Sequence, residues 1–109
     1  LYAELKVKFE NYMLSEMEKV TEFSPTSLRF STVYGLSPRM RFDLTVNEFT
    51  KDLALGRELI IFGEKFWRPY CHVKDFGRLI QLVIQAPHAE IAFEVFNAGG
   101  DINNFTKPI

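Results

Sequence analysis

Leu28-Arg29-Phe30-Ser31-Thr32-Val33-Tyr34-Gly35 is the stretch whose reading decides the fold. β-Branched and aromatic side chains dominate it, no proline interrupts it and a glycine stops it, so it reads as a buried strand. Just before it, Ser24-Pro25-Thr26-Ser27 breaks the chain. Further back, Leu5, Phe9, Tyr12, Met13, Met17 and Val20 recur at three- and four-residue steps, while Glu4, Lys8, Glu10 and Glu18 fall elsewhere. That pattern predicts an amphipathic helix to about Val20 with its apolar stripe in a core. After the strand, Leu36 to Phe42 is a loop carrying Pro38, Arg39 and Arg41. Asp43 is a natural N-cap for a helix running to Leu55, with Val46, Phe49 and Leu53 inward and Gly56 as its stop. Glu58 to Phe62 reads as a short strand closed by a Gly63 turn. Asp75 caps a predicted helix from Phe76 to Gln85, apolar almost all round and therefore well buried, which Pro87 ends. Ala92 to Asn97 is the last strand, followed by an Ala98-Gly99-Gly100-Asp101 turn. Helix and strand alternate throughout, the order of an α/β protein.

At 109 residues the chain is one domain at most, and 47% hydrophobic with 25% charged residues is ordinary globular composition. A net charge of −1, with cations spread rather than clustered, gives no sign of a nucleic-acid partner. No apolar run approaches the ~20 residues of a membrane span. With no signal peptide visible, the expectation is a cytoplasmic protein. A lone cysteine, Cys71, excludes an internal disulfide and suits a reducing compartment. Eleven phenylalanines, four tyrosines and a tryptophan imply more apolar surface than this length covers. The first residue lies inside a running helix, and Thr106-Lys107-Pro108-Ile109 resembles the opening of another, so a segment of a longer protein is expected.

Among residues that could carry chemistry, Tyr2 and Lys6 stand about one turn apart on one helix face. An ammonium beside a phenol favours the phenolate, making a candidate proton-transfer pair. Taken alone the spacing is common in surface helices. Arg39 and Arg41, on a loop past a strand, could meet a phosphate, though solvated charge is the commoner outcome. Arg68, held between Trp67 and Pro69, suits bidentate phosphate binding or a structural salt bridge. Cys71 and His72 are adjacent, but neighbours in an extended segment point to opposite faces and do not form a dyad. Cysteine and histidine are too few and too scattered for a zinc site. Gly99-Gly100 lacks the ending of a phosphate-cradling loop, and no Gly-x-Gly-x-x-Gly occurs.

In order, these stretches resemble the extended short-chain dehydrogenase/reductase family of NAD-dependent nucleotide-sugar epimerases and dehydratases. Tyr2-Ala3-Glu4-Leu5-Lys6 looks like its Tyr-x-x-x-Lys active-site helix. Leu28 to Gly35 with Pro38-Arg39 looks like the strand and loop that follow. Asp43 to Phe49 with Asn47 is similar to the first helix of the substrate lobe. Leu59-Ile60-Ile61-Phe62-Gly63 and Trp67-Arg68-Pro69-Tyr70-Cys71-His72-Val73-Lys74-Asp75 resemble the nucleotide-sugar segment, and Phe96-Asn97-Ala98-Gly99-Gly100 the next strand and turn.

The resemblance implies the C-terminal part of a Rossmann-like fold with its small substrate lobe. Residues 1–36 and 75–109 would belong to the cofactor domain, and 37–74 to the lobe. It implies Tyr2 as acid/base and Lys6 as its cationic partner and ribose ligand. Ser31, Thr32 and Val33 would lie near the nicotinamide of NAD. Arg68 would meet the substrate diphosphate, Asn47 would hydrogen-bond the substrate, and Leu59, Ile60, Ile61 and Phe62 would lie along its base. No metal is implied. Many relatives carry a phosphate-binding asparagine within the Phe30–Thr32 stretch, where this chain has Phe30, Ser31 and Thr32. The family's glycine-rich loop and active-site serine or threonine would precede Leu1, and a further diphosphate-binding arginine would follow Ile109. The expectation is therefore a segment inactive by itself, from an enzyme that transfers hydride transiently between a sugar carbon and the nicotinamide, as a homodimer. A family member kept only for nucleotide binding or assembly is the rival, as is a stand-alone interaction module.

Overall fold

The computed structural model describes residues 1–16, 23–99 and 104–105. The elements are α1 (Tyr2–Glu16), β1 (Ser27–Phe30), β2 (Thr32–Tyr34), α2 (Thr45–Ala54), β3 (Arg68–His72), α3 (Val73–Gln85), α4 (His88–Ile91), β4 (Val95–Ala98) and β5 (Asn104–Phe105). Met17 to Val20 of the predicted first helix, Gly100-Asp101 of the last turn, and Thr106 to Ile109 lie outside the described residues.

The strand expected from Leu28 to Tyr34 forms, but it serves two sheets. Up to Phe30 it pairs in parallel with β4, from Ser27↔Val95 to Phe30↔Ala98. From Thr32 onward it pairs in parallel with β3, from Thr32↔Tyr70 to Tyr34↔His72. Ser31 is the changeover, its N–H donating to the Ala98 carbonyl at 2.9 Å before the chain leaves β4. On its other side β3 takes β5 antiparallel, so β3 is the middle strand of three. Gly99 follows the same junction at φ 127°, where a Cβ would stand 2.6 Å from the Ser31 hydroxyl. Only glycine fits there.

Several helix boundaries differ from the sequence reading. Asp43 does not cap α2, because Arg41 takes its carboxylate in two hydrogen bonds of 2.8 and 2.6 Å. The helix opens instead at Thr45 behind Leu44, with no side-chain cap. Its end is as expected. Gly56 at φ 65° donates to Leu53 O, and Arg57 N donates to Asp52 O at 2.8 Å, the paired bonds of a Schellman stop. In α3 the cap is His72, whose ring nitrogen accepts from Lys74 N at 3.2 Å, so the helix starts at Val73 rather than Phe76. Asp75 sits within the first turn, where a negative charge suits the helix dipole. Glu58 to Phe62, expected as a strand, joins neither sheet among the described residues, and the chain bends at Phe62. The short α4 went unforeseen, as did its stitching to the segment before β1. There, Thr26 Oγ1 donates to Ile91 O and Phe93 N to Pro25 O, at 2.7 and 2.8 Å.

The core is small: Cys71, Phe76 and Ala98, with Val33 and Leu79 packed on it. Phe30 meets Phe76 with ring centroids 4.5 Å apart. The expectation that α3 is well buried fails. One face lies on β3, whereas Ile80, Leu82 and Ile84 are exposed. The α1 stripe is likewise open at Leu5, Phe9 and Tyr12, so there it faces no core among the described residues. The radius of gyration is 17.3 Å, well above the ~13 Å of a compact chain of 109 residues.

What ties α1 to the sheet is polar. Glu10 accepts from Arg29 Nη2 and Nε at 2.6 and 3.0 Å and from the Ser27 hydroxyl at 2.8 Å. Among the described residues, every hydrogen bond or ion pair from α1 to another element passes through this carboxylate. Its bonds to Arg29 first, then to Ser27, lower its pKa from 4.5 to about 2. A depressed carboxylate pKa stabilises the folded form above the ordinary value, and that contribution is lost as pH falls through the depressed one. Docking of α1 should therefore hold above pH 4.5 and fail as pH approaches 2. Glu10→Gln should speed amide exchange along α1 at neutral pH while β1 and β4 keep their protection. Unchanged exchange in α1 would contradict the tether.

Candidate active site

A groove of about 640 Å³ opens between α1 and β1. Tyr2, Lys6, Glu10 and Met13 line its helix wall, and Pro25 to Phe30 line the other. Tyr2, Lys6 and Glu10 follow at four-residue steps, so the residue that docks the helix shares a face with the pair at its start. Lys6 Nζ lies 5.5 Å from the centre of the Tyr2 ring, over its face. Both are open to solvent, Tyr2 at 76%. Among the described residues no carboxylate neutralises the Lys6 ammonium. The sequence left Glu10 unremarked beyond its polar position. Its place two turns past Tyr2 was the available signal.

At the changeover, the Ser31 hydroxyl is buried with no hydrogen-bond partner among the described residues. Thr32 begins β2, and its Oγ1 accepts from Arg68 Nε at 3.2 Å across the β2–β3 pair. Arg68 therefore meets a hydroxyl and not a carboxylate, and the salt-bridge alternative is not realised among the described residues. Asn47 anchors the loop before α2. Its Oδ1 accepts from Gly35 N at 3.1 Å and its Nδ2 donates to Arg41 O at 3.0 Å. An amide has two lone pairs and two N–H groups, so half of its capacity remains. Val33 and Asn47 line a second, much smaller cavity with Arg39. Arg41, committed to Asp43, is not a free phosphate ligand. In the Leu59–Phe62 run, Leu59 and Ile61 are half-buried while Ile60 and Phe62 are exposed.

The structure thus joins some of the expected residues and separates others. Thr32 touches Arg68, and Val33 shares a cavity with Asn47. Tyr2 and Lys6 stand in the other groove, next to the strand that leads into Ser31. Cys71 and His72 do not form a dyad. The thiol is buried and donates to the His72 carbonyl at 3.9 Å, while the ring caps α3 and lies edge-on to Tyr34. Among the described residues no group of three or more histidine, cysteine, aspartate or glutamate side chains could hold a metal ion. No described helix is long and apolar enough to cross a membrane.

Parallel strand pairs with helices between them, and a strand that changes partner beside a Tyr-x-x-x-Lys helix, define an α/β protein of Rossmann-like type. A family model described as "NAD dependent epimerase/dehydratase family" matches residues 1–99. The chain belongs to that family, and the resemblance read from its motifs is confirmed at that level.

For NAD, the donor chemistry on this chain fits the nicotinamide–ribose end. Among the described residues, a lysine with no carboxylate on it and a phenol share one groove, and the hydroxyl of Ser31, the residue after the strand that lines it, lacks a partner. Burial, then the charge of Asp75, pushes the Cys71 thiol up from its ordinary value. Thiolate is the reactive form. Cys71 should therefore alkylate with iodoacetamide many times more slowly than a free cysteine at the same mildly alkaline pH, and reach comparable rates only on unfolding. Equal rates in the native protein would show the thiol to be accessible.

Proposed function

We propose that this chain is the acid/base and substrate-side portion of an NAD-dependent nucleotide-sugar epimerase or dehydratase. The single observation that carries the reading is the Tyr2–Lys6 pair, set together on the open groove of a chain belonging to this family. Tyr2 takes the proton from a sugar hydroxyl and later returns it. Lys6 supplies the cation such a phenol needs close by, and its ammonium would hold the ribose hydroxyls of the cofactor. Ser31, Thr32 and Val33 would border the nicotinamide. NAD, when bound, supplies the acceptor and donor of hydride. Arg68 would hold the diphosphate of the sugar nucleotide, with Asn47 and the Leu59–Phe62 run on its sugar and base. The intact protein would work in the cytoplasm as a homodimer. A member kept only for binding or assembly has less support, since such a role gives no reason for a lysine set over a tyrosine with no carboxylate on it among the described residues.

The 109-residue sequence contains no Gly-x-Gly-x-x-Gly, the loop that takes the pyrophosphate of NAD in Rossmann proteins. Calorimetric titration of the 109-residue chain with NAD should show no tight binding, and a micromolar site would overturn this part of the proposal. In the intact protein, assays with NAD and UDP-, GDP-, CDP- or dTDP-sugars should find one that turns over. Tyr2→Phe should then lower kcat by about 10²- to 10⁴-fold, the usual share of a general acid/base. A variant retaining most of the activity would sink the assignment.

A further inference from the structure

His72 joins three elements through one ring, and the contacts fix where its proton sits. A backbone N–H can only donate, so the 3.2 Å bond from Lys74 N requires a lone pair on Nδ1, and the neutral ring carries its hydrogen on Nε2. That Nε2 edge lies against Gly35, where an added Cβ would stand 2.5 Å from it. Gly35 adopts φ 112°, a conformation that favours glycine. Tyr34, one residue earlier, meets the same ring edge-on with centroids 5.3 Å apart. The Gly35 N–H in turn donates to Asn47 Oδ1 at 3.1 Å. A continuous line of contacts therefore runs from the first turn of α3, through the imidazole, to the amide that holds the loop before α2.

Protonation breaks this line at one end. Imidazolium carries N–H on both nitrogens, so Nδ1 would turn a hydrogen, not a lone pair, toward the Lys74 N–H. The new charge would also stand at the N-terminus of α3, where the helix dipole disfavours a cation. Both effects have one sign: the cap holds while the ring is neutral and is lost as pH falls. On the elements around the ring, the titratable groups are Tyr34 on β2, Arg68 and Cys71 on β3, and Lys74 and Asp75 on α3, with Arg39, Arg41 and Asp43 on the loop after β2. Asp43 pairs with Arg41 and Asp75 with Arg78, and among the described residues no carboxylate forms an ion pair with the ring.

We propose that His72 is a positioning residue for the substrate side of the site, and that it works only as the neutral ring. Neutral, it holds the first turn of α3 and the Tyr34–Gly35 bend at a fixed spacing. Protonated, it releases the turn, and the ring is free to leave Gly35, which loosens the loop under Asn47. Mild acid then acts on this side of the chain alone, since the Glu10 carboxylate that docks α1 stays ionised down to about 2. The consequence for substrate rests on the reading of Asn47 as its ligand, whereas the coupling of His72 to Lys74 and Gly35 does not.

NMR of the intact protein between about pH 8 and pH 5, the span in which imidazole titrates, tests this without substrate. The Lys74 and Gly35 amide signals should move with the His72 ring signals and share their midpoint. Protection of the Lys74 amide, corrected for its intrinsic exchange rate, should fall about tenfold across that span, as expected for a lost cap with a cation put at the helix N-terminus. His72→Asn supplies a good cap that does not titrate, so it should keep Lys74 protection within about threefold of the unaltered protein at pH 8 and abolish the pH response. His72→Phe keeps a ring beside Tyr34 without the acceptor and should show low protection at both ends. Should His72→Phe fail to fold, His72→Asn and the unaltered protein decide the matter. A His72 ring that titrates while either amide stays still, a ring that does not titrate in this span, or a pH response that survives in His72→Asn would each overturn the proposal. Because the readout is amide signals rather than turnover, none of these results bears on whether Asn47 meets substrate.

Discussion

One carboxylate holds α1, the helix that carries Tyr2 and Lys6, against the sheet. Glu10 receives both the Arg29 fork and the Ser27 hydroxyl, and its side chain is only 14% exposed. A charge-assisted, two-point contact fixes direction as well as distance, which a hydrophobic contact does not. The helix needs such a device, because its apolar residues at Leu5, Phe9 and Tyr12 meet little of the described chain. At ~1.5 Å per residue, Tyr2 stands ~12 Å along the axis from Glu10 and Lys6 about half that. A small tilt at the tether would therefore become a displacement of ångströms at the phenol. The groove lies between α1 and β1, and among the described residues the polar contacts that join the helix to the sheet all meet at Glu10.

A second constraint operates at Ser31, where one extended run passes from β4 to β3. This crossing puts Thr32 and Val33 beside the strand that carries Arg68, and leads at Gly35 into the loop that Asn47 holds. Gly99 must lack a side chain to let Ser31 through, and Gly35 must lack one because a Cβ would stand 2.5 Å from the His72 ring. Two glycines at positive φ thus set the spacing around the site. His72 caps α3 with the same ring that crowds Gly35. Although they are separate in sequence, the loop, the middle strand and the following helix share a single imidazole as a meeting point.

Much of this was legible in the residues, and what was missed has physical causes. Periodicity found α1 and α2, the β-rich Leu28–Tyr34 run, and the glycine stop of α2, since each depends on local preference. The two failed caps were choices between partners: Asp43 could bind the backbone or Arg41, and the bidentate arginine won. Asp75 had a competitor three residues earlier in His72, whose ring reaches the Lys74 amide. The burial of α3 was misjudged because an apolar helix is buried only where something covers it, and hydropathy does not say what does. Strand order, the changeover at Ser31 and the Thr32–Arg68 contact join residues far apart in sequence, beyond the reach of local pattern. The Tyr2–Lys6 pair was found by spacing, whereas its tether was not, because Glu10 looks like any solvated acid until Arg29 is placed beside it.

The central claim is that the Glu10–Arg29 contact acts as a unit to place Tyr2 and Lys6. A double-mutant cycle with Glu10→Gln, Arg29→Gln and the pair, read on kcat/KM of the intact protein, tests it most directly. If the two side chains act only through each other, either single change should cost nearly the full effect and the double variant should lose little more. Independent, multiplying losses, or no loss in any of the three, would contradict the account.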